Sequence, residues 1–186
     1  MIGESYLTST QMATTLKNLI KLKVKIPEEL VKIKKTQGKK RIVLVSGCFD
    51  IIHADHVEFL AWSRMLGDYL VVAINSDKSV RRLKGNYRPI VSLKDRVKLT
   101  VVNCFVDYIV VFNELNVVNI IKTLKPDVFA KGHDYVLEKS EATKTKKAMN
   151  QDERRAVESY GGKIYFLDKP PKYSTTRILE LIKKRF

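Results

Sequence analysis

The sequence predicts an α/β fold, an open five-stranded parallel sheet with helices on both faces, preceded by a helical N-terminal leader. From Arg41 onward, short β-branched apolar runs alternate with longer segments whose apolar residues recur at helix spacing, as parallel strands joined by crossover helices require. The 186 residues are 45% hydrophobic and 30% charged, which suits one domain with a sizeable core. Eight glycines and five prolines exclude collagen-like and linker compositions. No apolar run approaches the roughly 18 residues of a membrane span.

In chain order, the leader comes first, over residues 1–38. Leu16, Leu19, Ile20 and then Leu30, Val31 recur at helical spacing, which predicts two short amphipathic helices separated near Pro27. The first forty residues hold nine lysines against Glu4, Glu28 and Glu29, so six of the fifteen excess positive charges lie here. A solvated lysine face on helices packed against the domain, or a dimerisation element, is the expected role. The main domain, 39–186, carries five predicted strands: IVLVS from Ile42, YLVVAI from Tyr69, YIVVF from Tyr108, DVFA from Asp127 and KIYFL from Lys163. Between and after them VEFLAWSRML, LKDRVKLTVVNCF, LNVVNIIKTL and TTRILELIKKRF read as helices, giving a Rossmann-like arrangement. The basic stretch from Val136 to Tyr160 is expected to be an exposed helix or a cover for a ligand.

Cys48 and Cys104 stand far apart without metal-ligand or disulfide spacing and are expected to be buried apolar fillers. The N-terminus has no basic-then-apolar export pattern, so a cytoplasmic setting is expected. The net charge of +15 favours anionic partners: nucleic acid, nucleotides or phosphorylated metabolites.

Ligands of open parallel sheets sit beyond the carboxyl ends of the strands. There the first predicted strand runs into Ser46-Gly47-Cys48-Phe49-Asp50-Ile51-Ile52-His53-Ala54-Asp55-His56, and a helix follows. A helix N-terminus presents unsatisfied N–H groups and partial positive charge, and Gly47 lets the backbone approach a phosphate. His53 and His56, three residues apart, could both face one phosphate chain. Lys84-Gly85 and Arg88-Pro89 form a basic turn, and Lys131-Gly132-His133-Asp134-Tyr135 follows the fourth strand. Ser174-Thr175-Thr176 opens the last helix with hydroxyls and N–H groups that suit anions, or with an ordinary cap.

These motifs resemble the HxGH nucleotidyltransferases, which include glycerol-3-phosphate cytidylyltransferase and the adenylyltransferase domain of ADP-heptose synthase. GCFDIIHADHVEFL looks like GxFDxxHxGHxxxL, and GDYLVVAINSD, RLKGNYRPI, KGHDY and YSTTRI follow in the family's order. The wording around NSD, RLKG and KGHDY most resembles the heptose enzyme. The resemblance implies catalytic roles for His53, His56 and Lys84. It implies nucleotide contacts from Gly47, Cys48, Phe49, Lys131, Gly132, Ser174, Thr175 and Thr176, and contacts to the second substrate from Asp50, Asn75, Asp77, Arg88, Arg96 and Asp134. Lys169 stands where the cytidylyltransferases have arginine, and Asp55 replaces the glycine between the histidines. The favoured reading of Asp55 is the helix N-cap, with Asp55-His56-Val57-Glu58 as a variant capping box; a metal-holding or phosphate-repelling carboxylate is the alternative.

The implied reaction joins a nucleoside triphosphate, with ATP favoured, to a sugar phosphate such as heptose 1-phosphate and releases pyrophosphate. A phosphate monoester is largely ionised at neutral pH, so no general base is needed. Magnesium is the expected cofactor, bridging the phosphates, with no dedicated protein metal site. A homodimer is expected, and neither membrane nor nucleic acid is an expected partner. Two alternatives stand beside this reading: a glycerol-3-phosphate or other polyol-phosphate cytidylyltransferase, and a decayed site that only binds nucleotide or nucleic acid.

Overall fold

The structure, a computed structural model, describes residues 9–36, 38–140 and 144–185. Glu4 and the rest of the leader's first eight residues lie outside the described residues, as does 141–143 of the basic stretch. The described chain begins with α1 (Ser9–Lys23) and α2 (Pro27–Thr36), the two helices expected of the leader, with Pro27 at the first position of the second. Five strands, β1 (Ile42–Gly47), β2 (Tyr69–Asn75), β3 (Tyr108–Phe112), β4 (Val128–Lys131) and β7 (Lys163–Phe166), form one sheet in the order β3-β2-β1-β4-β7. Every pairing in that sheet is parallel. The strands and α/β class predicted from the runs are all present.

The crossovers divide between the faces. On one, α3 (Ala54–Arg64) and α5 (Leu93–Val101) pack Leu60, Val97 and Val101 against Val43, Val45, Val72 and Ile74. On the other, α6 (Val118–Leu124) and α7 (Gln151–Glu158) pack Ile120, Ile121, Leu124 and Val157 against Leu44, Val71, Val110 and Phe129. A short α4 (Asp77–Lys84) follows β2.

The leader straddles the sheet. Leu16, Leu19 and Ile20 of α1 join the first face, whereas Leu30 and Ile33 of α2 join the second. Between them the chain runs along the outer edge of β3, where Val24 bridges Ile109 and Lys25 N–H donates to the Ile109 carbonyl. An open strand edge is thereby covered. Lys23 Nζ donates to the carbonyls of Val101, Asn103 and Val106 at 3.0, 3.3 and 2.6 Å, satisfying the C-terminal end of α5.

Helix ends differ from the sequence reading where side chains compete for the backbone. The helix expected through Phe105 stops at Val101, because Asn103 Oδ1 accepts the Phe105 N–H and the chain turns. Cys104 lies in that turn and is exposed, which corrects its expected burial; Cys48 is half-buried. Helix α6 begins at Val118, after Asn116 Oδ1 takes the Val118 N–H, and ends at Lys125 in the left-handed conformation with φ 46°. The basic stretch is not one helix: β5 (Tyr135–Val136) and β6 (Lys147–Ala148) form a small parallel ribbon before α7. Helix α8 (Thr175–Arg185) closes the described chain and has no buried residue. Among the described residues no helix is long and apolar enough to cross a membrane.

Leu30 is 1% exposed and belongs to the core although it lies in the leader. Leu30→Ala is expected to lower unfolding stability by about 2–5 kcal/mol, measured by urea denaturation. A loss under about 0.5 kcal/mol, the usual range of surface substitutions, would show that the leader is only a surface attachment.

Candidate functional site

A cleft of about 510 Å³ opens over the carboxyl ends of β1, β2, β3 and β4, lined by residues from the loop after β1, the starts of α3 and α7, and the approach to α8. Its floor begins at Gly47. Phe49 adopts the left-handed region at φ 47°, which folds its ring back under Gly47; a Cβ there would lie 3.0 Å from the ring. A side chain at this strand end would crowd the ring. The Phe49 ring is buried and lies 5.3 Å from the His56 ring.

Asp50 is 2% exposed and pins the neighbouring loop. Its carboxylate accepts N–H bonds from Ile90 and Val91 at 2.8 Å and pairs with Arg88 Nε. Burial pushes its pKa up, but the Val91 and Ile90 amides and the Arg88 guanidinium outweigh that and hold it below the usual carboxylate value. Arg96, expected to touch ligand, is fully buried instead. It donates to Asp77 Oδ1 at 2.7 Å and to the carbonyls of Cys48 and Val91 at 2.6 and 3.0 Å. Asp77 also accepts the Leu93 N–H, and neither residue lines the cleft. Both brace the loop after β1 from behind, which corrects the expectation of direct contact.

His53 occupies the N-cap position of α3 in extended conformation, without a side-chain cap bond. The rings of His53 and His56 lie 4.0 Å apart, and the Nδ1 of each is buried with no partner among the described residues. Burial lowers the pKa of His53, and burial reinforced by His53 lowers that of His56 to about 4. Both rings are therefore neutral at pH 7 and can serve as hydrogen-bond donors to an anion.

The structure overturns both readings of Asp55 as an N-cap and of Glu58 as its capping-box partner. Asp55 lies inside the first turn of α3 and its Oδ2 accepts the backbone N–H of Tyr173, while Glu58 pairs with Lys169 Nζ. The cap of α8 is Ser174, whose Oγ accepts the Arg177 N–H at 3.1 Å; Thr175 and Thr176 line the cleft beside it.

At the other end, Lys131 does not present a free charge. Its Nζ lies 2.7 Å from Glu153 Oε2, both side chains are under 10% exposed, and the ammonium sits over the rings of Phe129 and Tyr135 at 4.5 and 5.0 Å. Glu153 Oε1 also accepts the Val117 N–H, so this acid joins β4, α6 and α7. Sequence reasoning missed Glu153; the Asn150-x-x-Glu153 spelling marks a helix start, and Asn150 does cap α7, but nothing in it points to Lys131. Gly132 and Asp134 line the cleft, and a Cβ on Gly132 would lie 3.0 Å from Asp134 Oδ1. Asn75 lines it from β2, held by Nδ2 donation to Ser79 Oγ at 2.9 Å and lying 3.8 Å from Cys48 Sγ, whose thiol pKa is raised by burial. Lys84 lines it from α4 and is in no ion pair among the described residues.

The cleft carboxylates are engaged by the protein itself. Asp50, Asp55, Glu58, Asp134 and Glu153 each face an N–H group or a cation, and no group of three or more metal-ligating side chains occurs among the described residues.

The histidine pair makes stability depend on pH. The unfolded chain takes up a proton at His56 below its ordinary value of 6.5, whereas the folded chain does so only near 4. Stability is therefore expected to fall as pH drops from 6.5 to about 4, by up to about 1.4 kcal/mol per unit for one proton. His56→Asn should flatten that limb in urea denaturation between pH 7 and 5; an unchanged slope would mean that the ring is not desolvated.

The cytidylyltransferase-like family model matches residues 44–181. Bifunctional protein HldE of Syntrophotalea carbinolica is 39% identical over 167 residues, covering 88% of this chain and 32% of that protein. Bifunctional protein HldE of Campylobacter concisus is 53% identical over 113 residues, covering 61% of this chain and 24% of that protein. The chain thus spans a third or less of the length of these relatives. The crystal structure of the lipopolysaccharide core biosynthesis protein from Thermoplasma volcanium superposes with a TM-score of 0.56 at 27% identity, over 71% of this chain and 99% of that one.

Proposed function

The chain belongs to the cytidylyltransferase-like family, and on that premise we propose that it is a nucleotidyltransferase, joining a nucleoside triphosphate, ATP in preference, to a sugar phosphate such as heptose 1-phosphate. One observation carries the proposal: His53 and His56, neutral and with unpartnered nitrogens, sit at the start of α3 and face the same cleft as Thr175 and Thr176 at the start of α8. Two helix N-termini and two imidazole donors directed at one volume suit a polyphosphate. The similarity to HldE proteins supports the heptose phosphate as acceptor.

In this reading a phosphate-monoester oxygen of the acceptor attacks the α-phosphorus in line. A new P–O bond forms to the acceptor, the bond between the α-phosphorus and its bridging oxygen breaks, and pyrophosphate leaves with that oxygen. The nucleophile is already ionised, so the protein aligns the reactants and stabilises charge on the leaving group. His53 and His56 donate hydrogen bonds to the departing phosphates, and Lys84 supplies a positive charge from the end of α4. Gly47 and Gly132 admit the nucleotide close to the backbone. Arg88 is fixed by Asp50 with its remaining guanidinium donors available to the acceptor phosphate. Magnesium arrives on the triphosphate as part of the substrate and neutralises phosphate charge there.

A homodimer in the cytoplasm, where nucleoside triphosphates are made, completes the proposal. The exposed Met12, Leu22 and Ile26 of the leader and Leu181 and Ile182 of α8 support self-association.

Pyrophosphate release should appear with ATP and heptose 1-phosphate together, and with neither alone. Release only with CTP and glycerol 3-phosphate would replace the substrates while keeping the reaction; no release with any phosphate acceptor would overturn the enzyme reading. His53→Ala and His56→Ala are each expected to cut turnover by roughly 10² or more while the protein stays folded. Near-normal turnover in either variant would remove that histidine from the mechanism.

A further inference from the structure

The carboxylate that replaces a glycine between the histidines has a partner far along the chain. Asp55 Oδ2 accepts the Tyr173 N–H, and one turn further along α3 Glu58 pairs with Lys169. The two contacts fasten the strap of residues 169–173 against α3, immediately before Ser174 caps α8. The strap contains Pro170 and Pro171, whose missing N–H groups leave few backbone donors for docking it. Helix α8 buries no side chain of its own in the core, so its position depends on what precedes it. The Tyr173 amide meets an ionised acceptor, the stronger class of hydrogen bond, whereas the exposed pair of Glu58 with Lys169 contributes little alone.

We infer that Asp55 is a positioning residue that holds the strap 169–173 to α3, so that the N–H groups and hydroxyls of Thr175 and Thr176 face the histidine pair across the cleft. The inference rests on the phosphate-binding reading above. Thr175 and Thr176 occupy the first two positions of α8, where helix N–H groups have no intrahelical acceptor. Drawn toward α3, they share one anion with His53 and His56; released, they leave half of the phosphate contacts behind. The negative charge of Asp55 near an incoming anion is offset by its place in the first turn of α3, where the helix N-terminus is positive, and by its engagement with the amide.

Three variants separate this role from the two others that an acid here could have. Asparagine retains an oxygen acceptor for the Tyr173 N–H, whereas alanine and glycine do not. The readouts are exchange of the Tyr173 amide by NMR in the ligand-free protein, and ATP and CTP affinity by calorimetry with and without magnesium. Asp55→Ala and Asp55→Gly should speed Tyr173 exchange and weaken nucleotide affinity by on the order of tenfold, the loss of one charge-assisted hydrogen bond. Asp55→Asn should stay within about threefold of the wild type in both. Tighter nucleotide binding in all three variants would make Asp55 a phosphate-repelling group and overturn the inference. Loss of magnesium-dependent binding in Asp55→Asn as well as Asp55→Ala would make it a metal ligand and equally overturn it. Should the wild-type protein bind neither nucleotide, the proposed function fails, and the exchange arm still decides whether Asp55 holds the strap.

Discussion

Strand β1 pairs with β2 on one side and β4 on the other, and it is the strand from which the crossovers part to opposite faces of the sheet. A gap therefore opens above its carboxyl end that neither α3 nor α6 fills. The chain leaving β1 must turn inside that gap, and it does so through Gly47 and the left-handed Phe49. The buried Phe49 ring, the carboxylate of Asp50 and the carbonyl held by Arg96 fix the turn from three directions. The orientation of His53 and His56 follows from this bracing, because α3 starts where the braced turn ends.

The electrostatics of the cleft differ from those of the chain as a whole. The net charge is +15, yet the cations that reach the cleft from the loop after α4, from β4 and from the strap, namely Arg88, Lys131 and Lys169, each meet an acid. The attraction for an anion comes instead from neutral imidazoles, helix N-termini and Lys84. Such groups hold a phosphate by directed donors rather than bulk charge, which favours one geometry over non-specific binding to any polyanion. In the proposed reaction such directed contacts suit a site that would discharge pyrophosphate after each turnover.

The fold was legible in the sequence because it rests on local pattern: the five apolar runs became the five strands of the sheet, and the leader's spacing became α1 and α2. The cleft was legible to the extent that its residues lie at a strand end or at the helix start that follows it, as Gly47, His53, His56 and Gly132 do. What sequence reasoning missed are long-range partners. Arg96 reads as a contact to the second substrate until the Cys48 carbonyl and Asp77 are seen to bury it. Glu153 is hidden in a basic stretch until Lys131 reaches it from β4. Asp55 has the spelling of a cap, but its bond goes to Tyr173, more than a hundred positions along the chain. In each case tertiary packing supplied a partner distant in sequence that no local pattern marks.

The central claim is that the starts of α3 and α8 act as two halves of one polyphosphate site. A crystal structure of the protein with magnesium and a non-hydrolysable ATP analogue tests it most directly. The β- and γ-phosphates are expected between the His53 and His56 rings and the Thr175 and Thr176 N–H groups, with the α-phosphate toward Lys84. Phosphates bound by only one of the two helices, or density for the nucleotide outside this cleft, would contradict it.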